Sequence, residues 1–377
     1  MNLSFNKTFF FLLLIFSCSS NGQNIKLSNT TQVSIITCDT GNESYSLFGH
    51  TAIRIADSEN NLDLVYNYGA FDFATPNFVA KFAKGDLQYF AVVNKYNDFI
   101  NQYVYEQRSV YEQELNVPLA YKQQLFDNLT SALASSESYY TYKFIDKNCT
   151  SMVVDILNKT LGESTIVKKT DTDITYRTIL YPYFNNSFYE KLGTSIIFGK
   201  KVDEYGTKIF LPLELKKSLA LIQFQDHPLC TESKTSLEYK KETSFSWWDN
   251  IYTYLLILGL ILVISKESVN NIYFLIMGFL GLFFGFMGYY SLHQELAYNY
   301  NIFLFNPTLL LLLYFTIRNN KKWIINIGVF NLISLCVYFF FMLNKAHLLI
   351  VLPMLFTSAI VLIKTIIKNS KRIPIVI

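Results

Sequence analysis

Tyr140-Thr141-Tyr142-Lys143-Phe144-Ile145-Asp146-Lys147-Asn148-Cys149-Thr150-Ser151 leads directly into Met152, Val153, Ile156, Leu157 and Leu161, and then into Gly162. The apolar spacing predicts a helix with one buried stripe. Asn148 is an N-cap residue type and Gly162 a C-terminal stop, so Cys149 falls at the first helical position. There the helix dipole and the free N–H groups of the first turn favour a thiolate, and a neighbouring imidazolium would lower the thiol pKa further. The plainer reading of Cys149 is a small buried hydrophobe.

Upstream of this stretch, Val33 to Cys38, Thr51 to Ala56 and Leu64 to Tyr68 read as strands, the second alternating with Ile53 and Ile55 on one face. Between the first two lies Tyr45-Ser46-Leu47-Phe48-Gly49-His50-Thr51, so the only histidine before residue 227 sits where a loop enters a strand. Parity sets His50 with Ala52 and Arg54, opposite the isoleucines. His50 is either a structural histidine or the base beside Cys149. Tyr121, Leu125, Leu129 and Leu133 recur at helical spacing before Ser135-Ser136. Strands and helices together predict an α+β domain.

Working outward, Met1 to Gln23 has one basic residue, Lys7, an apolar run from Phe9 to Phe16 and then small polar residues, the pattern of a secretory signal. Cleavage near Gly22 and a lipobox ending at Cys18 are both open. Of the cysteines at 18, 38, 149, 230 and 336, the first lies in the signal and the last in an apolar run. Three remain, an odd number, so at least one is a free thiol in an exported protein. After Trp247 come five apolar runs: Trp247 to Ile264, Ile272 to Tyr290, Ile302 to Ile317, Trp323 to Leu343 and His347 to Ile367. Each is read as a helix crossing roughly 30 Å of hydrocarbon. Lys266, Arg318, Lys321, Lys322, Lys364, Lys368, Lys371 and Arg372 fall on one side, against Lys345 on the other. Positive loops mark the cytoplasm, which sets the C-terminus inside and the N-terminal domain outside. The expected organisation is a signal peptide at 1–23, an extracytoplasmic domain at 24–246, an all-α transmembrane bundle at 247–367 and a basic tail at 368–377. The outer loop Ser291 to Asn301 holds His293, Gln294, Glu295 and Asn299, polar residues that are functional candidates at that depth or else an ordinary solvated loop. A net charge of +3 without a basic stripe excludes a nucleic-acid partner.

A cysteine at a helix start paired with a histidine on a sheet is the arrangement of papain-like enzymes. The order His before Cys resembles the circularly permuted, NlpC-type papain-like families, in which a third polar group on the next strand orients the imidazole. Asn67, ahead of Asp72, fits that part. The combination Leu47-Phe48-Gly49-His50-Thr51-Ala52-Ile53-Arg54, Asn67-Tyr68-Gly69-Ala70-Phe71-Asp72-Phe73, Asn148-Cys149-Thr150, Phe210-Leu211-Pro212 and Ser291-Leu292-His293 ahead of Asn299 is similar to the Lnb family of bacterial lipoprotein N-acyltransferases. The resemblance runs from about Ile25 to the fourth apolar run. It departs at Cys38, in place of an ordinary loop residue, and at Gln294, in place of proline.

The resemblance implies transfer of a fatty acyl chain from a phospholipid donor to the α-amino group of a diacylated lipoprotein acceptor. It implies Cys149, His50 and Asn67 as catalytic residues. Asn148, Arg54, Asp72, His293 and Asn299 are the expected substrate-binding residues, the last two lining a groove that opens toward the bilayer. No metal or cofactor is expected, and the location is the bacterial inner membrane. A membrane-anchored NlpC-type cysteine peptidase acting on cell-wall peptides is the alternative, and a non-enzymatic membrane scaffold a third.

Overall fold

The computed structural model describes residues 25–240 and 246–370. The signal segment with Cys18, and the end of the basic tail, lie outside them. The strands are β1 (Gln32–Cys38), β2 (His50–Asp57), β3 (Leu62–Ala70), β4 (Gln88–Lys95), β5 (Val110–Glu114), β6 (Tyr139–Thr141), β7 (Gln223–Phe224), β8 (His227–Pro228) and β9 (Lys234–Leu237). Seven of them form one sheet in the order β6-β4-β3-β2-β1-β5-β9, antiparallel throughout. Between them lie α1 (Phe78–Lys84), α2 (Tyr96–Tyr105), α3 (Leu119–Ala134), α4 (Cys149–Leu161), α5 (Tyr176–Leu180), α6 (Phe188–Ile197) and α7 (Pro212–Leu219).

The two faces of the sheet follow the alternation in the sequence. Ile53, Ile55, Tyr66 and Tyr68 join Leu125 and Leu129 of α3 and Val153 and Leu157 of α4 in the main core. On the other face Ala52, Val65, Ile36 and Cys38 are covered by Phe99 and Tyr103 of α2. A one-residue slip in β2 would exchange these sets, so burial on both faces pins the register.

The membrane half consists of α8 (Ile251–Ile264), α9 (Glu267–Tyr290), α10 (Thr308–Ile317), α11 (Lys321–Met342) and α12 (Leu348–Ser370). Among the described residues, α9, α11 and α12 are long and apolar enough to cross a membrane. The third apolar run differs from the single span expected. Its helical turns at Gln294–Phe303 and α10 meet at 41° and pass as a span only together. Pro307, without an N–H, interrupts the ladder, and Asn306 Oδ1 restarts it by accepting from Thr308 N at 3.0 Å. The first run is also shorter than expected. Asn250 caps α8 through Tyr252 N and Thr253 N, Ser265 ends it at φ 44°, and 14 residues remain. At 1.5 Å per residue that is about 21 Å, less than a hydrocarbon core. Packing is close where side chains vanish: a Cβ at Gly281 would run into the Phe305 carbonyl.

The soluble domain is seated on this bundle through a buried polar seam. Arg177 of α5 donates to Asp203 (2.7 Å), to the carbonyls of Ser195 (3.2 Å) and Phe198 (3.3 Å) and to the Tyr300 hydroxyl (3.3 Å). Tyr300 in turn bonds Asp203. Asn301 Nδ2 reaches the Ile196 carbonyl at 3.0 Å, while its Oδ1 accepts from Tyr338 of α11 at 2.6 Å.

Candidate active site

The N-terminus of α4 is built as the sequence predicts. Asn148 Oδ1 accepts from Thr150 N (2.9 Å) and Ser151 N (3.1 Å), and Ser151 Oγ accepts from Asn148 N (2.8 Å), a reciprocal capping box. Gly162, at φ 115°, closes the helix by donating to the Asn158 carbonyl at 3.1 Å. Cys149 is therefore residue N1, and its thiol lies against the first residues of β2. Thr51 Oγ1 and Thr150 Oγ1 are 3.1 Å apart, which ties helix start to strand start.

His50 opens β2, opposite Cys38 in the ladder. Its Nε2 donates to Asn67 Oδ1 at 3.2 Å, and Asn67 Nδ2 donates on to Asn94 Oδ1 of β4 at 3.0 Å. His50 and Cys149 both border Gly69, and each shifts the protonation of the other. Burial pushes the Cys149 thiol up. The charge and hydrogen bond of His50, the Thr51 N–H and the Thr150 hydroxyl outweigh it and hold the thiol below its ordinary 9.0. For His50 burial acts downward, but Cys149 and Asn67 prevail and raise it above 6.5. Both shifts favour the thiolate–imidazolium form.

Gly69 and Tyr140 border the pair. Gly69 has φ 107° where the β3–β4 register shifts, and a Cβ there would sit 3.5 Å from Cys149 Cβ and 3.8 Å from both His50 Cε1 and Tyr140 Oη. A side chain would strain that backbone and crowd the pair. The Tyr140 hydroxyl is buried and has no hydrogen-bond partner among the described residues. Burial, helped by the charge of Cys149, holds its pKa far above the ordinary tyrosine value, so it stays a neutral donor. The loop ahead of Cys149 is held from the membrane side, where Ile145 N donates to Glu295 Oε1 at 3.1 Å.

The remaining expected residues have other partners. Asn148 is spent entirely on structure, since its Nδ2 also donates to the carbonyls of Phe144 (2.7 Å) and Phe210 (2.9 Å). Arg54 forks onto Asp63 (2.8 and 2.9 Å), reaches Glu112 (3.1 Å) and stacks on Tyr96. Asp72 is exposed and closes its own turn by accepting from Ala74 N at 2.8 Å. His293 Nε2 donates to the Phe82 carbonyl (3.0 Å), and Asn299 Nδ2 to those of Ile196 and Ile197 (2.9 Å each). These bonds join the two halves at His293 and Asn299. Cys38 and Cys230 are free but buried, and burial pushes both up to about 12.

Asn94, Gly69 and Tyr140 complete the site without having been picked out from the sequence. Gly69 and Tyr140 stand inside the quoted motifs, whereas Asn94 carries no local signal.

Fold and site together define a membrane-seated α/β domain with a capped cysteine at a helix start and a histidine at the start of the neighbouring strand. Residues 22–181 match the Lnb N-terminal periplasmic domain, which supports membership in the Lnb family. No curated protein and no solved structure matches it.

Proposed function

We propose that the protein is a lipoprotein N-acyltransferase of the inner membrane, with its N-terminal domain in the periplasm and its C-terminus in the cytoplasm. One observation supports this reading: a capped, helix-start cysteine whose thiol pKa is lowered chiefly by the charge of His50, within a domain fastened to membrane helices. Cys149 thiolate attacks the ester carbonyl carbon of a phospholipid. The oxyanion is held by the Cys149 N–H, which has no partner inside the helix, and by the Tyr140 hydroxyl. His50 imidazolium gives its proton to the departing alkoxide, so a lysophospholipid leaves and an S-acyl enzyme remains. The α-amino group of the diacylglyceryl cysteine then attacks the thioester. Neutral His50 takes the amine proton, the C–S bond breaks, and the amide and the thiolate are formed. Asn67 keeps the imidazole in the tautomer this requires. Donor and acceptor are both lipid-anchored, so a pair held at the bilayer meets them at high effective concentration.

The test is mass spectrometry of lipoprotein N-termini from cells with the wild-type protein, with Cys149→Ser and with none. N-acylated termini in the first and free amines in the other two are expected. Identical termini in all three would overturn the reading, and altered cell-wall peptides with unchanged lipoproteins would favour a peptidase.

A further inference from the structure

Helix α1 has no buried residue. In a seven-residue amphipathic turn flanked by the active-site strand β3, that is unusual, because the exposed side chains are large and apolar. Within it Val79 is 76% exposed and Phe82 44%, and Phe73, in the segment before it, is 69% exposed. Lys81 and Lys84 stand in its last turn.

Its position relative to the bilayer is set by hydrogen bonds to the segment that ends a membrane helix. Leu292 N donates to the Lys84 carbonyl (2.7 Å), Ser291 Oγ to the Ala83 carbonyl (2.7 Å) and His293 Nε2 to the Phe82 carbonyl (3.0 Å). These residues follow directly on α9, whose last turn exposes Phe286, Tyr289 and Tyr290. Exposed tyrosines at the end of an apolar helix mark the headgroup level. Helix α1 is therefore fastened at that level, with apolar residues outward and lysines beside them, the composition of an interfacial element.

The same segment reaches the site. From Phe73 the rings continue to Phe71 (4.8 Å) and on to Tyr89 (5.1 Å), and Tyr89 and Phe71 pack in the cluster that Cys149 borders. Phe78 braces both phenylalanines at 5.7 and 5.1 Å. We propose that residues 71–84 lie in the headgroup layer, with Phe73 and Val79 among the acyl chains, so that the wall Phe73–Phe71–Tyr89 leads from the lipid to Cys149. The occupant of this apolar face is the bilayer itself, by continuity with the lipid-facing surface of α9. The placement does not depend on which reaction Cys149 performs.

The experiment uses the full chain in phosphatidylcholine/phosphatidylglycerol vesicles, with and without lipids brominated along the acyl chain. Phe73→Trp and Val79→Trp are compared with Glu59→Trp in the β2–β3 turn, at the opposite end of β2 from His50. The emission of the parent, which has Trp247, Trp248 and Trp323, is subtracted. The added emission at 73 and 79 is expected to be blue-shifted and to lose most of its intensity to the brominated lipid, while that at 59 keeps its intensity. Emission at 73 and 79 that is unquenched overturns the proposal, whether red-shifted, as in water, or blue-shifted, as beneath a second protein copy. Because the readout is position and not turnover, it fails or succeeds independently of the acyl-transfer reading.

Discussion

The three cysteines of the soluble domain differ by environment and not by chemistry. Burial pushes Cys38 and Cys230 up to about 12, at Cys38 in spite of Tyr103 and Arg108, whereas His50 brings Cys149 below 9.0 despite burial. Cys149→Ser should abolish transfer, and Cys38→Ala and Cys230→Ala should keep most of it. Iodoacetamide labelling against pH checks the cause. A thiol below its ordinary value is thiolate above that lowered pKa, so Cys149 should label at a pH where a free cysteine is still protonated. His50→Ala removes the largest lowering influence and leaves the burial, so its labelling curve should move up; an unmoved curve would mean that the imidazole does not set the thiol. Tyr140→Phe deletes one donor while keeping the ring, and loss of one oxyanion donor costs about 10²–10³ in kcat. A KM effect with unchanged kcat would make it a packing residue. The sequence contains Tyr140 but cannot single it out, because it is one of 27 tyrosines and what distinguishes it is a missing partner.

Helix α4 was the most legible element, since capping, period and stop are all local, and it runs from Cys149 to Leu161 as the spacing predicts. The choice between Asn67 and Asp72 was less legible. It depends on register: pairing of Asn67 with Ala52 brings its side chain to His50, whereas Asp72 lies past the end of β3. The lengths of α8 and α10 were hidden for a related reason, because hydropathy reports apolar runs and not where Asn250 or Pro307 starts the ladder. Asn148 allows the cap to be separated from the thiol. Asn148→Ala removes the cap, about 1–2 kcal/mol, and leaves the buried Phe144 and Phe210 carbonyls without their donor, so thermal stability should fall. Asn148→Asp can still cap but places a negative charge beside Cys149. Its thiol pKa should rise and labelling at low pH should slow, even in a folded fraction.

At the scale of the molecule, the seam between the halves was illegible because Arg177, Asp203, Tyr300 and Asn301 converge from separated segments. Arg177→Met would leave buried Asp203 with Lys345 as its remaining cation beside the Tyr300 hydroxyl, a loss of about 3–5 kcal/mol for a broken buried pair, visible as reduced abundance. Glu295 tests whether the seam also governs chemistry. Its carboxylate is buried, it comes from the loop after α9, and Oε1 accepts the Ile145 N–H four residues before the nucleophile. Glu295→Gln keeps an oxygen at that place and should retain activity. Glu295→Ala leaves the N–H without an acceptor and loosens residues 143–148, which are also held by the Lys143–Lys147 bridge, the Lys143–Gly85 bond, the Lys208–Asp146 pair and the two Asn148 Nδ2 bonds. A nucleophile displaced by a fraction of an ångström loses near-attack geometry, so kcat should fall by about 10- to 100-fold with abundance little changed. Equal activity in the alanine and glutamine variants would mean that the membrane half only anchors the domain; a loss confined to alanine would mean that it also aligns Cys149.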